Sequence, residues 1–210
     1  MKPLFFSPSP RDVPQYREAI DKLKIDKLLI KYHKAKEAYP LARQWFLERD
    51  YTHLIICPDD LIVTEYDIYR LLEDTKYYGV VSGWCINTIL DNWEELQDSG
   101  LSTSLPKDPP HQSKYEDYNF IPANKIEQDK IIEVKFAGFV LQCTPREIVE
   151  KIPFRTSEGC CADACFALDL NKAGIPQYVD TRVKTLHLKI PFSQIQVGKK
   201  EKEIRFEPAI

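Results

Sequence analysis

The stretch THLIICPDDLIVTEYDIYRLLED, residues 52–74, changes character twice over a short distance. Residues 54–57 form an apolar run that is typical of a buried strand, and it is too short for a surface helix. Two adjacent carboxylates, Asp59 and Asp60, come almost at once after it. Thr64 and Asp67 then have the spacing of a helix capping box, with Asp in the place of the usual glutamate. The stretch therefore predicts a strand, an acidic turn and a helix in immediate succession.

The segments on either side repeat this succession of apolar runs and amphipathic stretches. Helical periodicity and strand-like runs alternate in the order PLFFS (3–7), VPQYREAIDKL (13–23), KLLIKY (27–32), YPLARQWFLERD (39–50) and YGVVSGW (78–84). This alternation predicts an α/β fold with a Rossmann-like, mostly parallel central sheet flanked by helices. Ligands of such sheets collect outside the carboxyl ends of the strands. We therefore expect Asp59 and Asp60 to lie at a ligand-binding edge.

The composition suits one domain and disfavours some classes of partner. A chain of 210 residues, 43% of them hydrophobic, is long enough for one good-sized core. The net charge of −3 is spread along the chain, so we expect no nucleic-acid partner, which would need clustered Lys and Arg. No apolar run approaches the roughly 18 residues of a membrane helix, and the N-terminus lacks the apolar core of a secretory signal. We expect a soluble, cytoplasmic protein without an integral membrane segment.

The last part of the chain is charged and is predicted to be a tail. We place the domain at residues 1–190, with a tail over 191–210 that packs on the domain or extends from it. Lys199, Lys200 and Lys202 could contact an anionic membrane surface from the periphery, but Glu201 and Glu203 interrupt them. A solvated face is the favoured interpretation.

The middle of the chain, residues 99–125, has four prolines and no sustained periodicity. An irregular loop of this length inside a compact domain is more often functional than idle. Its Tyr115, Tyr118 and Phe120 could stack on sugar rings, or they could anchor the loop to the core.

Regular elements return after this loop. Strands are predicted for IIEVKF (131–136), GFVLQC (138–143), PQYVD (176–180) and VKTLHLK (183–189). TPREIVEK (144–151) has a helix start, and a second helix over 162–173 is predicted to end at Gly174. Most of the six cysteines are expected to be small buried side chains. The three in the cluster CCADAC (160–165) are the exception, because they could also bind a metal or form a disulfide.

The acidic pair has an ordinary interpretation and a functional one. Aspartate is common in turns and at helix N-caps, so either residue could simply cap the next helix. However, no cationic residue lies within several positions of Asp59 and Asp60 in the sequence. Two unpaired neighbouring carboxylates repel, and a divalent cation such as Mn²⁺ or Mg²⁺ would relieve the repulsion while binding phosphate oxygens. The functional interpretation therefore predicts a metal-bridged diphosphate.

Two later residues are further candidates. His187 lies in a strand pattern with Leu186 and Leu188 on the opposite face, and it is either a structural histidine or a metal ligand. Asp163 opens a predicted helix, where it could stabilise the helix dipole or act in catalysis.

In this order, the features resemble the nucleotide-sugar glycosyltransferases of the GT-A fold, family 2-like. The resemblance covers roughly residues 3–190 in element order, and its motifs lie in residues 55–63 and 136–187. The acidic pair matches the DXD motif, although Pro58 stands at its first position. Asp163 matches the second acid of a helix-opening Glu-Asp pair, with Ala162 in the first place. His187 matches a histidine on a late strand.

The resemblance implies a transferase that moves a sugar from a UDP- or GDP-type donor to a hydroxyl of a glycan, protein or lipid. Asp60 would bind the metal, Asp59 would assist through the metal or the ribose, and His187 would add a ligand or a diphosphate contact. Asp163 would be the general base of an inverting, hexosyltransferase-like reaction.

The resemblance also assigns residues around the donor and the acceptor. Those expected to contact the nucleotide are Ser7, Pro8, Ser9 and Tyr32. Arg43 would pair with phosphate, with a surface ion pair to Glu48 or Asp50 as the alternative. Trp84 and Asn87 are candidates for the acceptor side.

Three other functions stay open at this point. A catalytically inactive nucleotide- or sugar-binding protein of the same fold would explain Pro58 and Ala162 in place of acids. A nucleotidyltransferase is less favoured, because FFSPSPRD (5–12) contains no glycine for a phosphate loop. A purely structural protein would bind none of these ligands.

Overall fold

The fold is that of a computed structural model, which describes residues 1–88, 97–105, 118–157 and 161–209, apart from the side chains of residues 87, 88, 97, 98 and 192. The helices are α1 (Pro14–Asp21), α2 (Ala35–Leu47), α3 (Glu65–Tyr78), α4 (Arg146–Lys151) and α5 (Ala162–Lys172). The first strands are β1 (Pro3–Ser9), β2 (Asp26–Lys31), β3 (His53–Ile56), β4 (Leu61–Ile62), β5 (Val80–Trp84), β6 (Asn87–Thr88) and β7 (Gln97–Ser102). They are followed by β8 (Phe120–Pro122), β9 (Ile131–Val134), β10 (Phe136–Ala137), β11 (Gln142–Pro145), β12 (Gln177–Lys184), β13 (Leu186–His187) and β14 (Glu203–Glu207).

Across the described residues, eight strands form a central sheet in the order β14-β2-β1-β3-β11-β5-β12-β9. The strands β2, β1, β3, β5 and β12 run in one direction, and β14, β11 and β9 run against them. The predicted α/β domain with a central sheet flanked by helices is confirmed. The sheet is mixed, because β11 enters antiparallel between β3 and β5.

Both faces of the sheet are covered, which explains why the strands are apolar without alternation. In β1, Leu4 and Phe6 point into a core shared with α2, α4 and α5. The intervening Phe5 points into a second core, shared with α1 and α3. Alternate residues of a strand face opposite sides, so one continuous apolar run supplies both cores.

Two helix boundaries were predicted correctly from local chemistry. The Thr64 hydroxyl accepts a hydrogen bond from the Asp67 amide at 3.3 Å, and the Asp67 carboxylate accepts one from the Thr64 amide at 2.9 Å. This is the predicted capping box at the start of α3. At the end of α5, Gly174 has φ +69°, which is the left-handed conformation that glycine favours.

Smaller sheets and the last residues complete the fold. Strands β10, β7 and β6 form a separate sheet, in which β8 also pairs with β7. Strands β4 and β13 form a two-stranded sheet beside the acidic turn. The segment predicted as a charged tail contributes β14, which pairs antiparallel with β2 at the edge of the central sheet. Among the described helices, none has the length and apolarity needed to cross a membrane.

Candidate functional site

The acidic turn lies at the carboxyl end of β3, as the sequence predicts. Pairing of β4 with β13 brings His187 opposite Leu61, the residue directly after Asp60. As a result, Nε2 of His187 lies 3.3 Å from Oδ2 of Asp60. The amide of Leu188 also donates to the Asp60 carbonyl at 2.8 Å. The predicted partners Asp60 and His187 are therefore brought together.

A cation does neutralise the acidic pair, contrary to the expectation from the sequence neighbourhood. Arg11, just after β1, donates its backbone amide to Asp59 Oδ2 at 2.8 Å and its Nε to Asp59 Oδ1 at 2.9 Å. Its Nη2 pairs with both Asp59 and Asp60, at 2.8 Å from Asp60 Oδ2. Local sequence could not show this partner, because 48 positions separate Arg11 from Asp59. Its position in the loop after the first predicted strand was the available signal.

The two carboxylates have different pKa values because their surroundings differ. Burial raises the pKa of Asp59 to about 6, although Arg11 opposes this shift. Burial also acts to raise the pKa of Asp60, but the hydrogen bond from His187 and the charge of Arg11 outweigh it, so this pKa is lowered. Asp60 is therefore the carboxylate that stays ionised over the wider pH range.

Asp163 occupies the first turn of α5, with Oδ1 accepting a hydrogen bond from the Ala164 amide at 2.8 Å. Enclosure by protein raises its pKa, and hydrogen bonds from Cys161 and from the backbone of Ala164 and Phe139 only partly offset this effect. The carboxyl is half-buried. Close to its Oδ2 lies Gly138, whose absent side chain leaves the carboxylate room.

One cavity of about 400 Å³ joins these residues. Asp60 and His187 line it together with Asp163, which comes from a different part of the chain. Much of the remaining wall is aromatic: Tyr39, Tyr118, Phe120, Phe136 and Phe139. The rings of Tyr118 and Phe120 stack with centroids 5.0 Å apart, and Phe136 packs against Tyr118 at 5.1 Å. The cavity thus combines two carboxylates and an imidazole with a broad apolar surface.

A second cavity, of about 380 Å³, lies beside the first and shares Ala35, Tyr39 and Pro58 with it. Its wall comes from the end of β1, from the segments that follow β1, β2 and β3, and from the last part of the chain: Pro8, Pro10, Arg11, His33, Lys34, Asp59, Ile195 and Val197. The carboxyl ends of three neighbouring strands therefore form one crevice with two compartments.

The residues predicted to contact the nucleotide are only partly placed there. Pro8 lines the second cavity. Ser7 is fully buried and its hydroxyl lies 3.0 Å from that of Ser9, so the predicted contact of Ser7 with a base is corrected to an internal hydrogen bond. Ser9 lines a smaller neighbouring cavity. Tyr32 is buried and donates its hydroxyl to Asp12 at 2.6 Å, an arrangement that occupies this group.

Other predicted contacts are also revised. Arg43 donates to the carbonyls of Val149 and Glu150, both at 2.9 Å, so it anchors α4 instead of pairing with phosphate, Glu48 or Asp50. Trp84 is buried and donates its indole N–H to the Thr181 carbonyl at 2.9 Å. Its predicted role at the acceptor is therefore corrected to packing.

Some predicted features lie outside the described residues. These are the side chain of Asn87, residues 106–117 of the irregular loop including Tyr115, and Cys160. The described cysteines carry thiols and are not joined in disulfides: Cys57, Cys85, Cys143, Cys161 and Cys165.

The side chains that could hold a divalent cation are Asp60 and His187. Arg11 engages both oxygens of Asp59, so the predicted metal contact of this residue would require that ion pair to open. In the described part of the chain, no group of three His, Cys, Asp or Glu side chains is arranged to hold a metal. However, Nδ1 of His187 is buried without a hydrogen-bond partner there. One carboxylate and one imidazole fit Mn²⁺ or Mg²⁺ when a diphosphate and water supply the remaining ligands.

Comparison with known proteins supports the architecture. No family model matches this chain, and no curated protein matches it. Among solved structures, the fold is similar to that of A197 from STIV, with a TM-score of 0.60 over 89% of this chain and 85% of that chain. The two sequences are 20% identical, a level at which the likeness concerns the fold alone.

Proposed function

We propose that this protein is an inverting glycosyltransferase of GT-A-like fold that uses a nucleotide-diphosphate sugar. The observation that carries the proposal is the single cavity lined by Asp60, His187 and Asp163. The first two residues form the anionic and imidazole end of the cavity, and the third supplies a separate carboxylate. Transfer of a sugar from a diphosphate to a hydroxyl uses two such sites: one that binds the diphosphate and one that takes the proton of the hydroxyl.

The donor's diphosphate belongs at the Asp60 and His187 end. His187 lines the cavity with its Nε2 3.3 Å from Asp60 Oδ2, and we assign the contact with the diphosphate or its metal to this nitrogen. When bound between Asp60 and His187, Mn²⁺ or Mg²⁺ would stabilise the negative charge of the leaving diphosphate as a Lewis acid. The second cavity, at the ends of β1, β2 and β3, then suits the nucleoside.

Asp163 is the proposed general base. Burial raises the pKa of Asp163, which makes its carboxylate a stronger base than an exposed aspartate. It accepts the proton of the acceptor hydroxyl while that oxygen attacks the anomeric carbon on the face opposite the leaving diphosphate. The bond to the diphosphate breaks as the new glycosidic bond forms, so the anomeric centre inverts.

The aromatic wall suits a sugar ring. Tyr118, Phe120 and Phe136 present apolar faces to the same cavity as Asp163. The C–H faces of a pyranose pack on such rings, and burial there removes water from the reacting atoms.

A binding protein without catalysis is the second candidate. It is favoured by the ion pairs between Arg11 and the acidic pair, which satisfy these carboxylates without a ligand. The two candidates differ in turnover and agree on nucleotide binding.

The first test is a thermal-shift screen with UDP, GDP, CMP and their sugar conjugates, with and without Mn²⁺. A ligand at 100 times its Kd adds about 2.7 kcal/mol to the free energy of unfolding. We expect one nucleotide to raise the Tm of the wild type in a Mn²⁺-dependent way and to lose this effect in Asp60→Asn. The control is Glu18→Gln, which removes an exposed carboxylate on α1.

The outcome separates the candidates. Absence of any nucleotide shift in the wild type contradicts both. When a nucleotide binds, incubation with its sugar conjugates and a panel of glycan acceptors tests transfer, which we expect to be lost in Asp163→Asn while the nucleotide shift is kept. Binding without turnover for every donor favours the inactive protein.

A further inference from the structure

Arg11 is unusual in the crevice because it uses every nitrogen of its side chain. Nε and Nη2 pair with Asp59, Nη2 also reaches Asp60 at 2.8 Å, and Nη1 donates to the carbonyl of Ile190 at 3.1 Å. The side chain is only 9% exposed. A buried guanidinium held by this many contacts has one orientation, and it imposes that orientation on its partners.

The contacts divide the two carboxylates into different roles. Asp59 is 2% exposed at its side chain, and its two oxygens accept from the Arg11 amide and guanidinium. Asp60 is more exposed, at 14%, and lines the cavity that contains Asp163. Of the two carboxylates, Asp60 is the one that lines the cavity of Asp163 and is held by a single nitrogen of Arg11, whereas both oxygens of Asp59 are engaged by Arg11.

Charge reinforces this division. Two neighbouring carboxylates would attract a free divalent cation, but the fixed positive charge of Arg11 cancels about half of that attraction. The residual site is one carboxylate and one imidazole. Mn²⁺ and Mg²⁺ are held by so few protein ligands only when substrate phosphates complete the coordination.

We propose that Arg11 is a positioning residue that excludes Asp59 from the ligand set and turns Asp60 toward the cavity. A divalent cation then binds here jointly with a diphosphate, and not ahead of it. This inference rests on the proposed function for the diphosphate, while its statement about the bare protein stands on the Arg11 contacts.

The test is the affinity for Mn²⁺ alone, measured from the electron paramagnetic resonance signal of the free ion. We expect weak binding to the wild type, and at least about tenfold tighter binding to Arg11→Met, in which both carboxylates lose their cation. Arg11→Lys keeps the charge but loses the fork, so it should lie between the two. The control is Arg49→Met, which removes an exposed cation that follows α2 and pairs with Glu48.

Unchanged or weaker Mn²⁺ binding in a folded Arg11→Met overturns the proposal. If that variant does not fold, the test compares Asp59→Asn with Asp60→Asn. The quantity measured is then the affinity of each variant for Mn²⁺ in the presence of inorganic pyrophosphate. We expect less than about a twofold loss of affinity for Asp59→Asn and at least about tenfold for Asp60→Asn. A comparable loss in both variants makes Asp59 a ligand and overturns the proposal.

The test of Arg11 and the test of the proposed function can give different results. A gain of Mn²⁺ affinity in Arg11→Met, with no nucleotide shift in the wild type, supports the positioning role and removes the transferase. A nucleotide shift without that gain supports the transferase and overturns the role of Arg11.

Discussion

At the scale of single residues, the ionised carboxylate of Asp163 lowers the stability of the folded protein. Burial raises its pKa, so the native state binds the proton more tightly than the unfolded chain does. Stability is therefore lost as the pH rises from the unfolded value, near 3.8, through the native pKa. A partly buried carboxylate that destabilises its own fold is typical of a functional group.

Asp163→Asn should remove this cost and stabilise the protein near neutral pH. Asparagine keeps the oxygen that accepts from the Ala164 amide and cannot ionise. We expect a Tm about 2 to 4 °C above that of the wild type at pH 7.5, which corresponds to about 1 kcal/mol for a chain of this size. The gain should shrink toward pH 4.

The control for this prediction is Asp21→Asn, which changes a half-exposed carboxylate paired with Arg17. It should show no gain at pH 7.5. If Asp163→Asn is less stable than the wild type at pH 7.5, the ionised form of Asp163 contributes favourably, and its pKa is not raised by burial.

The sequence predicted where the candidate site residues lie in the fold, but it did not predict which side chains and carbonyls the arginines contact. The places of Asp60, Asp163 and His187 agree with the strand and helix pattern, and the structure brings all three to one cavity. The ion pairs of Arg11 and the carbonyl contacts of Arg43 join positions that are 48 or more apart. Such contacts depend on the spatial order of strands, which local spacing does not encode.

At the scale of elements, the capping box of α3 is a local device that the sequence shows directly. The Thr64 hydroxyl and the Asp67 carboxylate satisfy backbone amides that the helix leaves unpaired. Thr64→Ala should lower the free energy of unfolding by about 1 kcal/mol, measured by urea denaturation. Tyr69→Ala, an exposed position on the same helix, serves as the control. Equal losses in the two variants would argue against a specific cap.

Element order was predicted better than strand pairing. The early alternation of strands and helices appears in the structure with its predicted order. The insertion of β11 between β3 and β5 was not foreseen, because β11 takes only Gln142 and Cys143 from the predicted strand GFVLQC (138–143) and continues through Thr144 and Pro145, which were predicted to start a helix. The edge position of β14 was also missed, since its residues are exposed and charged and lack a buried-strand pattern.

At the scale of the whole molecule, the last part of the chain contacts both the crevice and the edge of the central sheet. The Gln196 amide donates to the Pro10 carbonyl at 2.8 Å, and Lys200 pairs with Asp12. Beyond them, β14 pairs with β2. The segment that precedes β14 thus closes the second cavity, while β14 extends the sheet.

These two roles can be separated by variants of the same region. Ile195→Ser combined with Val197→Ser changes the wall of the second cavity and leaves β14 in place. A chain that ends at Lys202 lacks β14 and keeps that wall. Because β14 covers one edge of the sheet and Phe206 packs on Trp45 at 5.0 Å, its removal should lower the Tm more than the double substitution does.

The rise in Tm caused by the nucleotide should be affected more by the double substitution than by the removal of β14. We expect the double substitution to weaken the nucleotide-dependent rise in Tm by more than half, because it makes an apolar wall polar where the nucleoside is proposed to bind. The shortened chain should keep most of that rise, measured from its own lower Tm. Equal loss of the rise in both proteins would mean that the crevice depends on β14 as a whole, and it would remove the assignment of the second cavity to the nucleoside.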